Sequence, residues 1–211
     1  MTNENKKVRA MTITYVVENG LYVNITNKCT NRCDFCIRNN GDGAYGSNSL
    51  WLEREPEKDE ILSSVFSHNL DEFSEVVFCG YGEPSCRLDV AREVALEIKA
   101  KYPNKKVRIN TNGQSDLIYK KDTALMYKDA FDEVSVSLNA PTTEKYQSIC
   151  HSVFDDDVLE NIIKFALNVK NCVQNVKFSL VKYNISDEEI DECKKISEQT
   201  GIPLRIREFI D

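Results

Sequence analysis

Lys28-Cys29-Thr30-Asn31-Arg32-Cys33-Asp34-Phe35-Cys36 places three cysteines at Cys-x-x-x-Cys-x-x-Cys spacing, directly after a short strand-like run. Thiolate is the ligand that soft iron prefers, and a four-iron cluster offers four metal corners. Three protein thiolates would leave one iron free to bind and activate a small molecule, which is a catalytic arrangement. The same thiols joined by a fourth ligand from elsewhere could hold zinc. The spacing alone therefore leaves both metals open.

Upstream, the runs 12–18 and 21–26 flank Asn19-Gly20, the dipeptide that most readily supplies the positive φ angles of a tight hairpin. The first run reads as a lead-in strand and the second as the first strand of a larger sheet, with the cysteine loop leaving its C-terminal end. Downstream, Pro56 suits the first turn of a helix reaching about His68. Strand-like and helical runs then alternate: 75–79 and 88–101, 107–111 and 116–128, 133–138 and 157–169, 176–181 and 187–199, and a last strand at 204–209. Ser186 and Glu189 form a capping-box pair for the last helix, which closes before Gly201. Alternation of this kind specifies a parallel sheet with right-handed crossovers. A length of 211 residues fits one domain, residues 1–211, with one core.

One face of the strands carries Val107, Ile109, Val134, Val136, Leu138, Val176, Phe178, Leu180, Leu204 and Ile206, expected beneath the helices. The other carries Asn24, Thr26, Arg108, Asn110, Ser135, Ser137, Asn139, Lys177, Ser179, Val181, Arg205 and Arg207. Parallel strands covered on both sides normally read as continuous apolar runs. A polar inner face needs solvent or ligand to satisfy it, so the pattern predicts a binding lumen. No inward carboxylate is apparent on those strands, and the four cations Arg108, Lys177, Arg205 and Arg207 are expected to meet an acidic substrate or another bound anion.

Three further motifs sit at strand ends: Cys79-Gly80-Tyr81-Gly82-Glu83-Pro84, Asn110-Thr111-Asn112-Gly113 and Ser135-Val136-Ser137-Leu138-Asn139-Ala140. Glycine lets backbone approach a ligand closely, and a carboxylate can neutralise an ammonium. Together with the cysteine spacing and Phe35 before the third cysteine, these motifs resemble those of the radical S-adenosylmethionine (radical SAM) superfamily. The six strand–helix units resemble its partial (β/α)6 barrel over about residues 21–209.

The resemblance implies a [4Fe-4S] cluster on Cys29, Cys33 and Cys36, with SAM chelating the open iron. It implies that Glu83 and the backbone at Tyr81 and Gly82 face the SAM amino group, although Tyr81 stands where a second glycine is commoner. Asn110, Ser137 and Asn139 match positions that bind the rest of the cofactor, and an adenine contact is expected within 177–184. The implied chemistry is reductive cleavage of SAM to a 5′-deoxyadenosyl radical, fed by a donor such as flavodoxin or ferredoxin. Ser137-Leu138-Asn139-Ala140-Pro141 also resembles small stand-alone members, including a group associated with TatD-type nucleases, and more distantly the glycyl-radical activating enzymes. A small acidic substrate is favoured over a protein substrate; a non-catalytic iron–sulfur or zinc module is the alternative of a different class.

Bulk features narrow the setting. A net charge of −7 argues against a nucleic-acid or anionic-membrane binder. No apolar run reaches transmembrane length, and residues 1–10 lack an apolar signal core, so a cytoplasmic location is expected. The eight cysteines then remain free thiols, with Cys79, Cys86, Cys150, Cys172 and Cys193 read as buried packing residues. His68 and His151 receive no role. The stretch 37–55, with Gly41, Gly43, Gly46, Leu50 and Trp51, is long for a connector and reads as a loop over the active site.

Overall fold

The computed structural model describes residues 8–154 and 157–209. Seven strands follow one another in sequence order across one sheet: β1 (Thr14–Val17), β2 (Gly20–Val23), β3 (Glu75–Phe78), β4 (Lys106–Thr111), β5 (Glu133–Ser137), β6 (Asn175–Lys182) and β7 (Leu204–Glu208). The turn joining β1 and β2 antiparallel is Glu18-Asn19 and not the expected Asn19-Gly20: Glu18 takes the positive φ, 53°, and Gly20 is already paired with Val17; β2 to β7 are all parallel. β1 and β7 remain the two edges, so the sheet is an open, partial barrel.

The helices are α1 (Lys58–Phe66), α2 (Leu88–Lys101), α3 (Ser115–Tyr119), α4 (Ala124–Tyr127), α5 (Thr143–Cys150), α6 (Val158–Lys170) and α7 (Asp187–Thr200). Register shows why the helix-side face is dry: Val23, Phe78, Ile109, Val134 and Val176 line up strand to strand, and all are buried. Phe78, Phe131, Tyr127 and Phe165 extend this row as a chain of tilted and edge-on rings into the helix layer. α7 starts on the Ser186–Glu189 capping box and ends at Gly201, whose φ of 60° is left-handed.

Three further sequence expectations are corrected. The helix expected over 116–128 is two short pieces, because Lys120 turns left-handed at φ 54° and Asp116 Oδ1 accepts from the Thr123 backbone N–H and hydroxyl at 2.8 and 2.6 Å. α5 was not anticipated; Thr142 caps it, accepting from the Lys145 N–H at 3.2 Å, and Tyr146, Ile149 and Cys150 form its buried face. Ile206, expected under helices, is 39% exposed, because β7 is an edge strand with a neighbour on one side. Among the described residues no helix is long and apolar enough to cross a membrane.

Candidate active site

The cysteine loop crosses the C-terminal end of the parallel strands and is fastened from beneath. Gln114, buried after β4, accepts from the Thr30 hydroxyl at 2.6 Å and donates to Asn31 Oδ1 at 2.9 Å and to the Tyr146 hydroxyl at 3.0 Å. Asn31 donates to the same tyrosine at 2.9 Å, and Asn112 donates to the Thr30 hydroxyl at 2.7 Å. A fully hydrogen-bonded buried network of this kind specifies one backbone path. Gln114 and Tyr146 lie outside the motifs read from the sequence, because they meet Thr30 and Asn31 from distant segments.

Cys29, Cys33 and Cys36 are free and half-buried. Each faces a different element. Burial, then the charge of Glu83, pushes the Cys29 thiol up to about 12. Burial also raises Cys36, which lies near Cys79. Cys33 is lowered, chiefly by the neighbouring Cys150 thiol. The Cys29 sulfur accepts the Asn31 backbone N–H at 3.4 Å, a contact that favours thiolate. Among the described residues no three His, Cys, Asp or Glu side chains close around a single metal position. Three soft thiols on one loop are instead a donor set that fits a multi-iron cluster presenting separate irons to separate thiolates.

The turn 80–84 packs beside this loop. A Cβ on Gly82 would collide with the Thr26 carbonyl oxygen and lie 2.7 Å from that of Lys28, so only glycine permits the Glu83 N–H to reach the Lys28 carbonyl at 2.8 Å. Glu83 is buried and joins the turn to the end of β4: Oε1 accepts from the Ser85 N–H (2.9 Å) and the Thr111 hydroxyl (2.8 Å), and Oε2 from the Asn112 N–H (2.7 Å). Burial nonetheless raises its carboxyl.

Tyr81 turns its side chain away from the lumen. Its ring meets Trp51 edge-on at 5.2 Å and its hydroxyl donates to the Gly41 carbonyl at 2.9 Å, so only its backbone is available to a ligand. The stretch 37–55 is thereby anchored, with Leu50 and Leu52 buried and bonded to Asn24 and Asn27. Tyr81→Phe is expected to cost about 0.5–1.5 kcal/mol, one ordinary hydrogen bond, and to speed proteolytic nicking within 37–55 while leaving iron content unchanged. Limited proteolysis with mass spectrometry checks this.

The lumen is layered by register. At the N-terminal end Arg108 Nη2 and Nε hold Glu75 at 2.6 and 3.1 Å, and its Nη1 donates to Asn110 at 2.6 Å. Glu133 lies 3.8 Å from Arg108 and 2.7 Å from Lys106, and it also pairs with Lys177. The expectation that no carboxylate points inward is therefore corrected. Glu75 and Glu133 open their strands on the inner face and neutralise Arg108 and Lys177, so these two cations have protein partners already. A hollow of about 260 Å³ at this end is lined by Lys99, Lys105, Lys106 and Asp132. Its lysines are likewise engaged, with Asp132, the Phe73 carbonyl and Glu133.

Higher in the lumen, Ser137, Ser179 and Arg205 lie in one row and Val181 beside Arg207 in the next. The hydroxyls of Ser135, Ser137 and Ser179 make no hydrogen bond among the described residues, and Arg205 and Arg207 make no ion pair there. Both arginines are exposed, and Arg207 is near enough to pull Cys79 downward against the burial that raises that thiol. Asn139, by contrast, engages the protein: Oδ1 accepts the Val181 N–H at 3.4 Å and Nδ2 donates to the Cys150 sulfur at 3.8 Å.

An open parallel barrel with a three-thiol loop over the C-terminal ends of its strands defines a class, the iron–sulfur enzymes that activate a ligand at an open cluster corner. The Radical SAM superfamily matches residues 23–195, and the chain belongs to that superfamily. Its cofactors are a [4Fe-4S] cluster and SAM, which sets aside the zinc-module alternative.

Among curated relatives it is 27% identical over 202 residues to GTP 3′,8-cyclase of Staphylococcus carnosus, covering 90% of this chain and 54% of the relative. It is 30% identical over 191 residues to a probable GTP 3′,8-cyclase of Methanocaldococcus jannaschii, covering 90% and 58%. The chain thus spans a little over half the length of these relatives. Streptococcus suis SuiB bound to precursor peptide SuiA superposes with a TM-score of 0.68 at 18% identity, over 91% of this chain and 39% of SuiB. A radical SAM methyltransferase from Sphaerobacter thermophilus gives 0.66 at 15% identity, over 92% and 68%. These likenesses show the shared fold.

Proposed function

We propose that the protein removes a hydrogen atom from a small anionic molecule held by Arg205 and Arg207. When bound, the cluster and SAM supply a one-electron reduction that releases methionine and leaves a 5′-deoxyadenosyl radical. Cys29, Cys33 and Cys36 hold the cluster. Glu83 and the Tyr81–Gly82 backbone take the SAM amino group, and Ser137 and Asn110 face the rest of the cofactor. The protein's own part is to fix the reacting hydrogen beside the radical and to exclude water.

What supports an anionic substrate is the state of the two arginines, which lie on the inner face near the C-terminal end of β7 with no carboxylate partner among the described residues. A guanidinium fork matches carboxylate or phosphate. The curated relatives are named for a nucleotide triphosphate, an anion of this kind. A reduced flavodoxin or ferredoxin is the proposed electron donor, and the eight free thiols suit a cytoplasmic setting.

The test is anaerobic. Reconstituted protein, with a Cys29/Cys33/Cys36→Ala variant as the cluster-free control, is screened for 5′-deoxyadenosine formation stimulated by phosphorylated and carboxylated metabolites, nucleotides included. Arg207→Ala is expected to weaken the stimulating compound about tenfold to a hundredfold, the worth of one charge-assisted hydrogen bond. Stimulation only by a protein or by neutral compounds would overturn the proposal, and so would a loss of SAM affinity alone, which would assign Arg207 to the cofactor carboxylate.

A further inference from the structure

We propose that Ser135 and Ser179 bind hydroxyl groups of the substrate, whose anionic end is the group held by Arg205 and Arg207; this deepens the anionic-substrate reading and rests on it. The substrate is then a polyol or sugar bearing phosphate or carboxylate. The inner face of β5 and β6 carries serine at three positions, Ser135, Ser137 and Ser179. Register sets Ser137 beside Ser179 and Ser179 beside Arg205; Ser135 stands beside Lys177 one layer deeper, and Val181 beside Arg207 one layer nearer the mouth. Neighbouring strands lie about 4.8 Å apart and successive layers about 7 Å, so the Ser179 hydroxyl and both guanidinium groups fall within reach of one small ligand.

Ser135 and Ser179 are each 7% exposed. Val134, Val136, Phe178 and Leu180 alternate with them and are buried beneath the helices, which turns both serines to the lumen. Neither hydroxyl has a hydrogen-bond partner among the described residues. Neither is sealed off, since the sealed side-chain atoms without a hydrogen bond there are Asn24 Oδ1 and Glu133 Oε1. A hydroxyl taken from water costs free energy until it is paired, and serine leaves room that valine or leucine would fill. A ligand answers both. Serine donates and accepts, so it matches another hydroxyl, whereas phosphate and carboxylate only accept and ammonium only donates. Cations at the mouth and neutral hydroxyls below them therefore call for one molecule with an anionic end and a hydroxylated body. Lys177, held by Glu133, still has N–H groups to offer at the level of Ser135. Ser137 stays with SAM.

The test titrates the reconstituted, SAM-loaded protein anaerobically with glycerol 3-phosphate, ribose 5-phosphate, glucose 6-phosphate and gluconate. Beside them run the counterparts without hydroxyls, propyl, pentyl and hexyl phosphate and hexanoate, and neutral sorbitol. Binding is read by calorimetry and turnover by release of 5′-deoxyadenosine. A hydroxylated anion is expected to bind about tenfold or more tightly than its counterpart, and the phosphate and carboxylate arms identify the anion. For that compound Ser135→Ala and Ser179→Ala should each weaken binding about threefold to tenfold, one neutral hydrogen bond. Neither variant should change SAM affinity, the urea midpoint or the binding of the counterpart. Equal affinity for an anion with and without hydroxyls would overturn this inference and leave the anionic-substrate reading standing. Sorbitol binding as tightly as the best anion would overturn that reading instead, and the inference with it. Failure of every hydroxylated anion to bind would also overturn the inference, and so would a loss of SAM affinity alone in the serine variants, which would assign both hydroxyls to the cofactor.

Discussion

Replacing Glu83 with alanine is expected to lower both the stability of the fold and the affinity for SAM, and replacing it with glutamine to separate the two. A carboxylate offers about four acceptor positions. Ser85, Thr111 and Asn112 occupy three of them, and the fourth, on Oε2, is the place for an ammonium. Alanine leaves the Ser85 and Asn112 N–H groups buried without acceptors, at about 1–3 kcal/mol each, for a total of about 2–6 kcal/mol in urea unfolding of the cluster-free protein. Glutamine keeps one acceptor oxygen. Placed to serve Ser85 and Thr111, it turns an NH2 group toward both Asn112 and the incoming ammonium. Its fold should lose about 1–3 kcal/mol, while SAM affinity falls about tenfold or more. Calorimetric titration showing wild-type affinity in Glu83→Gln would remove Glu83 from the SAM site.

The pH dependence carries the same assignment. Burial raises the Glu83 carboxyl, so the folded state holds this proton more tightly than the unfolded chain does. As pH rises through the ordinary glutamate value of about 4.3, the unfolded chain ionises first and stability falls. The loss ends once Glu83 ionises in the folded protein, and a constant cost remains above that point. A cation at Oε2 offsets the cost, so SAM affinity should rise with pH across this window in the wild type and stay flat in Glu83→Gln.

How much of this was legible in the sequence depends on the range of the chemistry. The Ser186 capping box and the apolar faces of the central strands are local patterns, and the structure has them where the patterns place them; the hairpin is there too, its turn one residue earlier at Glu18-Asn19. The cysteine spacing is local as well, and it suffices for the superfamily. What was not legible involves partners from separate segments. Glu133 shares its face with Ser135 and Ser137 by simple alternation, yet its role is visible only once β4 and β6 set Arg108 and Lys177 beside it. Cys150 is the buried packing residue its type suggests, but nothing in 142–150 foretells that its carbonyl also takes the Arg32 N–H of a loop more than a hundred residues earlier. Asn139 and Tyr81 matched cofactor positions by motif, but their side chains bond to Val181, Cys150 and Gly41. The motif specifies the backbone path, and the neighbours decide where a side chain goes.

Arg108→Ala should likewise show a large effect, and it separates the two ends of the lumen. Arg108 is 9% exposed in its side chain and holds Glu75 with two hydrogen bonds, so its removal leaves a half-buried carboxylate with only Lys106, 3.4 Å away. Breaking a fully buried pair from one side costs about 3–5 kcal/mol, so this half-buried one should cost about 3 kcal/mol at most. Burial works against the charge of Glu75, but the Arg108 hydrogen bonds and charge outweigh it and hold the carboxyl below the usual range. A lowered carboxyl contributes stability that is present above its unfolded value, about 4.3, and is lost as pH falls through the folded value. The deficit of Arg108→Ala relative to wild type should therefore be full at pH 7 and shrink in acid, as Glu75 takes up its proton and no longer needs a cation. Urea unfolding at both pH values checks this, and a deficit below about 1 kcal/mol, or one that does not change with pH, would show that the pair is not stabilising. The same variant should keep substrate affinity once folded, because Glu75 and Glu133 lie at the N-terminal end of the strands; a change in SAM affinity would come only through Asn110, which Arg108 holds at 2.6 Å. If substrate affinity fell with stability intact, Arg108 would join Arg207 as a ligand, and the division between a structural base and a binding mouth would be wrong.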